Sequence, residues 1–438
     1  MSADGPGAAK QVAICVPDNI GRLIGKRLPA SRWDEICRAG MPMPDYFLVT
    51  GVDNKPHGDL AVTGYHSGFK NGFLRPLAAT RFSVPSEPDT AFFLADAVRA
   101  DGTPYAEAVR NILDRQIVRL AEHGLTASFA SELEFYLYRT SYAEAFAGDY
   151  RTLTPFHHRH ADNDILNAGF AEPFLAAVRA AMAANGIAVE ATQGEGGVGQ
   201  YEINIRHTAP LTMADSHVQF KHVVKALAQA SGLSATFMAK PSETEAGSGG
   251  HVHLSLYDRR GAPALGADGA LSDLGRAFLA GLLAHTPELT LLHAPFVNSY
   301  RRLQPGSFAP ANVCWSGDNR TAMVRVLGDA VTRFEFRLPG ADMNPYLSFA
   351  AILAAGLAGI DRRLDPPLPI TGSAYGQDLT TVPGDLGEAI ALFSASALAA
   401  EAFTPPVHRH LAALAGKERD DDRRAVTGWQ RRRYFDTA

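Results

Sequence analysis

Apolar residues repeat with two different periods along this chain, and the change of period divides it. Up to about residue 103 they come in short alternating runs, such as Asp45-Tyr-Phe-Leu-Val-Thr, Asp59-Leu-Ala-Val-Thr and Ala91-Phe-Phe-Leu-Ala, separated by Gly, Pro and Asn. Alternation bounded by turn residues predicts strands, hence a small β-rich domain over 1–103. Asp101-Gly-Thr-Pro then predicts a helix start, with Thr103 as N-cap, Pro104 in the first turn and Gly124 closing the helix, so the second domain is expected over 104–438. Helical spacing recurs at about 169–185, 215–231, 272–287 and 345–363, with two or three more helices after 384. The most apolar run, from Tyr346 to Ile360, is about 15 residues, short of the roughly 20 that span a bilayer. It follows Asn344-Pro345 and ends at Asp361-Arg-Arg, which predicts a buried core helix with Pro in its first turn and cations at its end.

Between the helices lie period-two segments that carry charge. In a strand, residues i and i+2 share a face. Glu132 and Glu134 in Ser-Glu-Leu-Glu-Phe-Tyr (131–136) therefore face one way, and Leu133 and Phe135 the other. Such a pair is either a solvated sheet face or a site for a cation between two carboxylates. In Gly-Glu-Gly-Gly-Val-Gly-Gln-Tyr-Glu (194–202), Gln200, Glu202 and Asn204 share a face opposite Ile203 and Ile205, with Glu195 just ahead. The Gly194-x-Gly196-x-x-Gly199 spacing matches a dinucleotide fingerprint. It leads into a strand-like run instead of opening a helix, so that reading is set aside.

His251 and His253 stand two apart behind Gly-Ser-Gly-Gly, either as satisfied core residues or as ligands. Arg333, Glu335 and Arg337 share a face, as a structural ion-pair ladder or as an anion site. Arg320 and Arg325 add positive charge beyond what one Glu balances, which points to a di- or triphosphate, because guanidinium forks suit phosphate oxygens. Oxygen-rich ligation with imidazole suits Mg²⁺ or Mn²⁺ better than zinc. No P-loop is present. His157-His-Arg-His and His408-Arg-His read as polar loops, and Asp420-Asp-Asp-Arg-Arg as a solvated helix face.

Length and composition limit the partners. A chain of 438 residues exceeds the roughly 250–300 of a single core, again favouring two domains. With 46% hydrophobic and 20% charged residues it is an ordinary globular composition, and the net charge of −5 offers no attraction for nucleic acid or an anionic membrane. Cys15, Cys37 and Cys314 form no CxxC pair, and the N-terminus has no basic region followed by an apolar run. A cytoplasmic protein is expected.

The five charged clusters, in this order, resemble the glutamine synthetase family over nearly the whole chain. The most specific segments are Asn298-Ser-Tyr-Arg-Arg-Leu-Gln-Pro-Gly, Asn319-Arg-Thr-Ala, Arg333-Phe-Glu-Phe-Arg-Leu-Pro leading to Asn344-Pro-Tyr-Leu, and Phe237-Met-Ala-Lys-Pro ahead of Gly-Ser-Gly-Gly-His-Val-His-Leu-Ser. The resemblance implies an α+β fold, with a small N-terminal β-grasp-like domain and a larger catalytic domain on a curved antiparallel sheet with flanking helices. It also implies a homo-oligomer of stacked hexameric rings (a dodecamer), each site completed by a neighbour's N-terminal domain. The implied chemistry uses ATP and two or more Mg²⁺ or Mn²⁺ ions per site to turn glutamate into an acyl phosphate, which an amine then attacks.

By position, the resemblance gives Glu134, Glu195 and Glu202 to one metal ion, and Glu132, His251 and Glu335 to the other. Arg302 and Arg337, with Gly247 and His251, fall to the amino-acid substrate. Arg320, Arg325 and Arg333 fall to ATP phosphates, with His253 and Ser255 near the nucleotide. Arg320 and Glu335 are thereby the expected catalytic groups.

Two departures bear on the nucleophile. Ammonia-using members follow the Pro-Gly turn with Tyr-Glu-Ala-Pro, whose Glu closes the site; here Pro305-Gly306-Ser307-Phe308-Ala309-Pro310 puts Phe308 at that flap position. A phenyl ring neither attracts a cation as a carboxylate does nor accepts its proton, but it packs against a carbon chain. The Phe-Asp-Gly-Ser-Ser element is also absent, and Gly64-Tyr-His-Ser-Gly-Phe offers no acid. Ala246 replaces the Asn that usually precedes Gly-Ser-Gly, which bears on amino-acid recognition, and no adenylylation loop is recognisable in 375–400. The expectation is an ATP-dependent ligase of glutamate and an organic amine, nearest to the γ-glutamylamide and γ-glutamylpolyamine synthetases. An ammonia-using synthetase that recruits another acid, such as His66, and a catalytically silent binding or assembly member are the alternatives.

Overall fold

The computed structural model describes residues 5–267, 270–304, 306–328 and 331–437. Pro305 of the flap turn and the first four residues of the N-terminal segment lie outside the described residues. Two strands buried on both faces, Gln11–Pro17 and Thr90–Val98, form the centre of the first sheet. Burial alternates in Asn71–Pro76, where Leu74 is buried and Phe73 half-buried, and the strand order is Leu23–Pro29, Gln11–Pro17, Thr90–Val98, Asn71–Pro76, Met41–Pro44. Gln11–Pro17 and Thr90–Val98 run parallel, and Phe82–Ser83 pairs with the latter. Tyr105 and Ala108 still pack into this sheet's core.

The expected helix start at Thr103-Pro104 is corrected. The Asp101 carboxylate accepts from the Thr103 backbone N–H (2.9 Å) and hydroxyl (2.7 Å), and Pro104 bridges back to Val98. That Asx-type turn uses up the capping groups in reversing the chain. The helix begins at Val109 and runs to Glu122, and Gly124 follows its end at φ +73°, as expected for a C-terminal stop.

Seven strands form the main run of the second sheet, in the order Trp315–Gly317, Val324–Leu327, Arg333–Phe336, Val252–Asp258, Leu125–Tyr138, Gln200–Thr208, Val189–Gly194; an eighth, Ser234–Thr236, pairs with Leu125–Tyr138. Its pairs are antiparallel except at one edge, where Trp315–Gly317 and Val324–Leu327 are parallel. A short loop makes this possible. Asp318 adopts φ +44°, and the Asn319 side chain accepts from the Thr321 N–H (3.0 Å) and hydroxyl (2.8 Å), so the chain doubles back between the two strands.

The predicted helices are found as Glu172–Ala184, Pro210–Ala230, Asp273–Leu289 and Pro345–Asp361. The second begins at Pro210, about five residues before the expected start, because Pro suits a first turn where its missing N–H is not needed. Among the described residues four helices, not two or three, follow residue 384: Leu386–Ala395, Ala397–Phe403, Pro405–Arg424 and Gly428–Tyr434. Asp421 and Asp422 on the third of these are exposed, as expected for a solvated face. Pro345–Asp361 is the core helix, buried from Pro345 through Gly359. It touches Asp273–Leu289 at glycines: a Cβ on Gly281 would lie 2.3 Å from the Ala355 carbonyl oxygen, and one on Gly359 2.0 Å from that of Ala277. The whole is an α+β fold. No single helix among the described residues is long and apolar enough to cross a membrane.

Candidate active site

The sheet's pleat sets the faces that the sequence predicts. Leu133, Phe135, Ile203 and Ile205 are buried in the core. The opposite face aligns Glu132 with Asn204 and Glu134 with Glu202 on adjacent strands. On the other side of the central strand, His253 pairs across from Glu335, which in turn pairs across from Arg325. Side chains from six strands, Val189–Gly194 among them through Gln193, thus converge on one cavity of about 900 Å³.

Glu132 accepts hydrogen bonds from His253 Nε2 at 2.8 Å, His251 Nδ1 at 3.2 Å and Asn204 Nδ2 at 3.2 Å. Burial pushes its carboxyl up, but the two imidazoles outweigh burial and hold it well below the usual carboxylate range. Glu134 accepts from Gln200 Nε2 and the Gly249 N–H, both at 2.8 Å, and burial raises it. Gln193 Nε2 donates to Glu195 at 2.9 Å and to Glu202 at 3.2 Å. Burial, then Glu134, pushes Glu195 up to about 7. Burial, then Glu132 and Glu134, pushes Glu202 well above its ordinary value. Two sets of donor atoms come close enough to share an ion: Glu132 with His253 and Glu335, and Glu132 with Glu202 and His251.

Glu335 receives Arg325 Nη1 at 2.7 Å and is also ion-paired with Arg337, while His251 Nδ1 stands 3.8 Å away. Burial pushes it up, but His251 and Arg337 bring it below the ordinary range. Arg325 turns its other edge to Asp318. Arg302 is buried and donates to the carbonyls of Leu338 (2.9 Å) and Arg337 (3.2 Å). Gly247 makes room for it, since a Cβ there would lie 2.7 Å from Arg302 Cγ. Arg320 and Arg333 also line the cavity. Phe308 does too, two-thirds exposed and at φ +56°, a backbone conformation that bulky residues rarely adopt.

Comparison with known proteins agrees with this architecture. The sequence profile described as the glutamine synthetase catalytic domain matches residues 106–434. The chain belongs to the glutamine synthetase family. Among relatives of this family member, the gamma-glutamylethanolamide synthetase GlnA4 of Streptomyces coelicolor is 42% identical, covering 97% of this chain and 92% of the relative. The glutamate–isopropylamine ligase of a Pseudomonas species is 37% identical, covering 94% of each. The solved structure of apo GmaS without ligand superimposes with a TM-score of 0.86 at 28% identity, covering 98% of this chain and 97% of that one.

Of the residues that the family resemblance assigns to the site, all but Ser255 line the main cavity of this glutamine synthetase family member. Ser255 lines an adjoining space of about 440 Å³ that shares Glu132, Asn204, His253 and Arg333 with it. His253, expected near the nucleotide, also reaches Glu132 directly. Sequence reasoning missed Gln193, Asp162, Asn163 and Asp318 in the lining. Gln193 was legible, standing two residues before Glu195 near the end of the strand Val189–Gly194. Asp162 and Asn163 lie on an irregular loop with no period to mark them. Among the described residues, the lining includes none of 64–69, the segment that holds His66. His157-His-Arg-His is irregular, as expected, with Nδ1 of His160 against the Gly196 carbonyl at 2.6 Å. His408-Arg-His is not the expected polar loop but part of the helix Pro405–Arg424, with His408 and His410 buried and Nε2 of His408 against the Phe393 carbonyl at 2.7 Å.

Proposed function

We propose that the protein is an ATP-dependent ligase that joins the γ-carboxylate of glutamate to an organic amine with an apolar portion, through γ-glutamyl phosphate. Two relatives named for amide formation with ethanolamine and isopropylamine support this reading. The observation that carries it is Phe308: the flap position of the cavity holds a phenyl ring where an ammonia site needs an acid. In this reading residues 1–103 form the small unit and 104–438 the catalytic one. The homo-oligomer is the stacked double ring of the family, in the cytoplasm.

The donor set fits divalent cations, because buried carboxylates with raised proton affinity mark negative charge that the side chains alone leave unbalanced. Glu134, Glu195 and Glu202 would hold one Mg²⁺ or Mn²⁺, and Glu132, His251 and Glu335 the other. Such ions, when bound, neutralise phosphate oxygens. Arg302, Arg337 and the Gly247 backbone orient glutamate. Arg320, Arg325 and Arg333 draw charge off the ATP phosphates, with His253 and Ser255 beside the nucleotide. A γ-carboxylate oxygen attacks the γ-phosphorus and ADP departs with the bridging oxygen. The amine nitrogen then bonds the acyl carbon, the carbon–oxygen bond to phosphate breaks, phosphate leaves with the electron pair, and nitrogen loses its proton.

The test is phosphate release from ATP, Mg²⁺ and glutamate, with ammonium and a panel of alkyl-, hydroxyalkyl-, poly- and arylamines in parallel. Release that follows the amines and responds weakly to ammonium is expected. Comparable release with ammonium at physiological concentration would return the protein to nitrogen assimilation, and silence with every amine points to another acid substrate or a non-enzymatic role.

A further inference from the structure

An organic amine reaches the site as a cation, and most of the cavity's carboxylates are committed elsewhere. The five Glu are the proposed metal ligands, and Asp318 is ion-paired with Arg325. Asp162 remains. It lines the same cavity as Phe308, and the hydrogen bond it accepts comes from its neighbour Asn163, at 2.7 Å. Among the described residues it has no ion-pair partner.

Its place is built, not incidental. The Asn163 N–H donates to the Gly194 carbonyl at 3.2 Å, with Asn163 in the left-handed region at φ +53°. The Ala161 backbone lies so close to Gly194 that a Cβ there would be 2.4 Å from the Ala161 carbonyl oxygen. These contacts fasten 161–163 beside the residue that precedes Glu195. Asp164, by contrast, is spent on capping Ile165–Ala168, where it accepts from the Leu166 and Asn167 N–H groups. The helix cap therefore leaves Asp162 to face the cavity.

We propose that Asp162 is the carboxylate that receives the amine's cationic nitrogen and holds it beside the acyl carbon, where the nitrogen gives one proton to water and attacks with the lone pair so freed, in place of the acids that the flap and the N-terminal segment lack. The inference rests on the amine-ligase reading. A carboxylate in the cavity lining beside Glu195 gives an ammonium group an attractive end and leaves its carbon chain to Phe308. Its role is recruitment and positioning by charge, so it predicts an effect confined to one substrate.

The experiment compares the intact enzyme with D162N and D162E, using ethylamine as the probe amine under saturating ATP, Mg²⁺ and glutamate. Losing a charge-assisted contact raises the KM for ethylamine about ten-fold in D162N. Meanwhile kcat changes by less than KM does, and the KM values for glutamate and ATP stay within about two-fold. D162E recovers part of the loss. The wild-type KM for ethylamine rises with ionic strength, and that dependence flattens in D162N. An unchanged ethylamine KM in D162N overturns the proposal, and so does an equal rise in the KM values for glutamate and ATP, which marks a general loss of site structure. A wild-type enzyme whose phosphate release ignores every amine defeats the ligase reading itself, and is seen before any variant is made.

Discussion

Replacing Glu195 with Gln should make the metal-free protein more stable and the metal-bound protein less so. Burial and the nearby Glu134 push the Glu195 carboxyl from its ordinary 4.5 up to about 7. A folded-state pKa above the unfolded one means that the native protein holds the extra proton between those two values. Wild-type stability therefore falls as pH rises from about 4.5 to 7, and the cost stays at its full value above 7. The gap of about 2.5 pH units, at ~1.4 kcal/mol each, puts that cost at roughly 3–4 kcal/mol. Gln carries no such charge, and its side-chain oxygen still accepts the Gln193 amide that now reaches Glu195. Without metal at pH 8, E195Q should thus exceed the wild type by roughly 3–4 kcal/mol; near pH 4 the two should coincide. Saturating Mg²⁺ should reverse the order, because the ion stabilises only the protein that holds it. Denaturant unfolding at fixed protein concentration, with EDTA or Mg²⁺, measures both signs. An E195Q protein no more stable than wild type in EDTA at pH 8 refutes the claim that unbalanced negative charge is stored at this site.

Three further substitutions address separate parts of the site. Gly249→Ala places a Cβ 2.6 Å from His251 Nε2 and 2.7 Å from Glu134 Oε1, so Mn²⁺ affinity by titration should fall about 10–100-fold; unchanged affinity removes both side chains from the ligand set. Glu335→Gln leaves Arg325 and Arg337 without their shared anion, and amine-dependent phosphate release should drop about 10²–10³-fold while circular dichroism is unaltered. A variant that keeps more than about a tenth of the rate contradicts a role in phosphoryl transfer. Phe308→Glu should raise the ratio of ammonia to ethylamine use at least about ten-fold, and an unchanged ratio means that the flap does not choose the nucleophile.

Local pattern made much of this legible. The i, i+2 spacing at Glu132 and Glu134, at Glu202 and Asn204 and at Glu335 and Arg337 gave the correct face each time, because a strand's pleat is a property of its own backbone. The buried helix Pro345–Asp361 was equally readable from its uninterrupted apolar run and its Asn-Pro start. Thr103-Pro104 was misread because a cap residue followed by Pro suits a turn as well as a helix. What decided between them was a bridge back to Val98, which helix signals do not register. Asp162 was invisible for a related reason: its position depends on the contact between Ala161 and Gly194, some thirty residues apart in sequence.

The sequence alone determined which side chains share a face, which segments are apolar enough for the core, and that an acid is absent from the flap. Only the tertiary structure decided which faces meet. Glu132 and His253 are 121 positions apart, yet they hydrogen-bond because Val252–Asp258 lies beside Leu125–Tyr138 in a register that aligns Val252 with Ser131. A slip of that strand by one residue would turn His253 away from Glu132 toward the core. Register is held by the packing of the opposite, apolar face against the helices, a long-range energy that no short window of sequence contains. The raised proton affinities of Glu195 and Glu202 have the same origin, since burial and like charge act only once distant strands have been brought together.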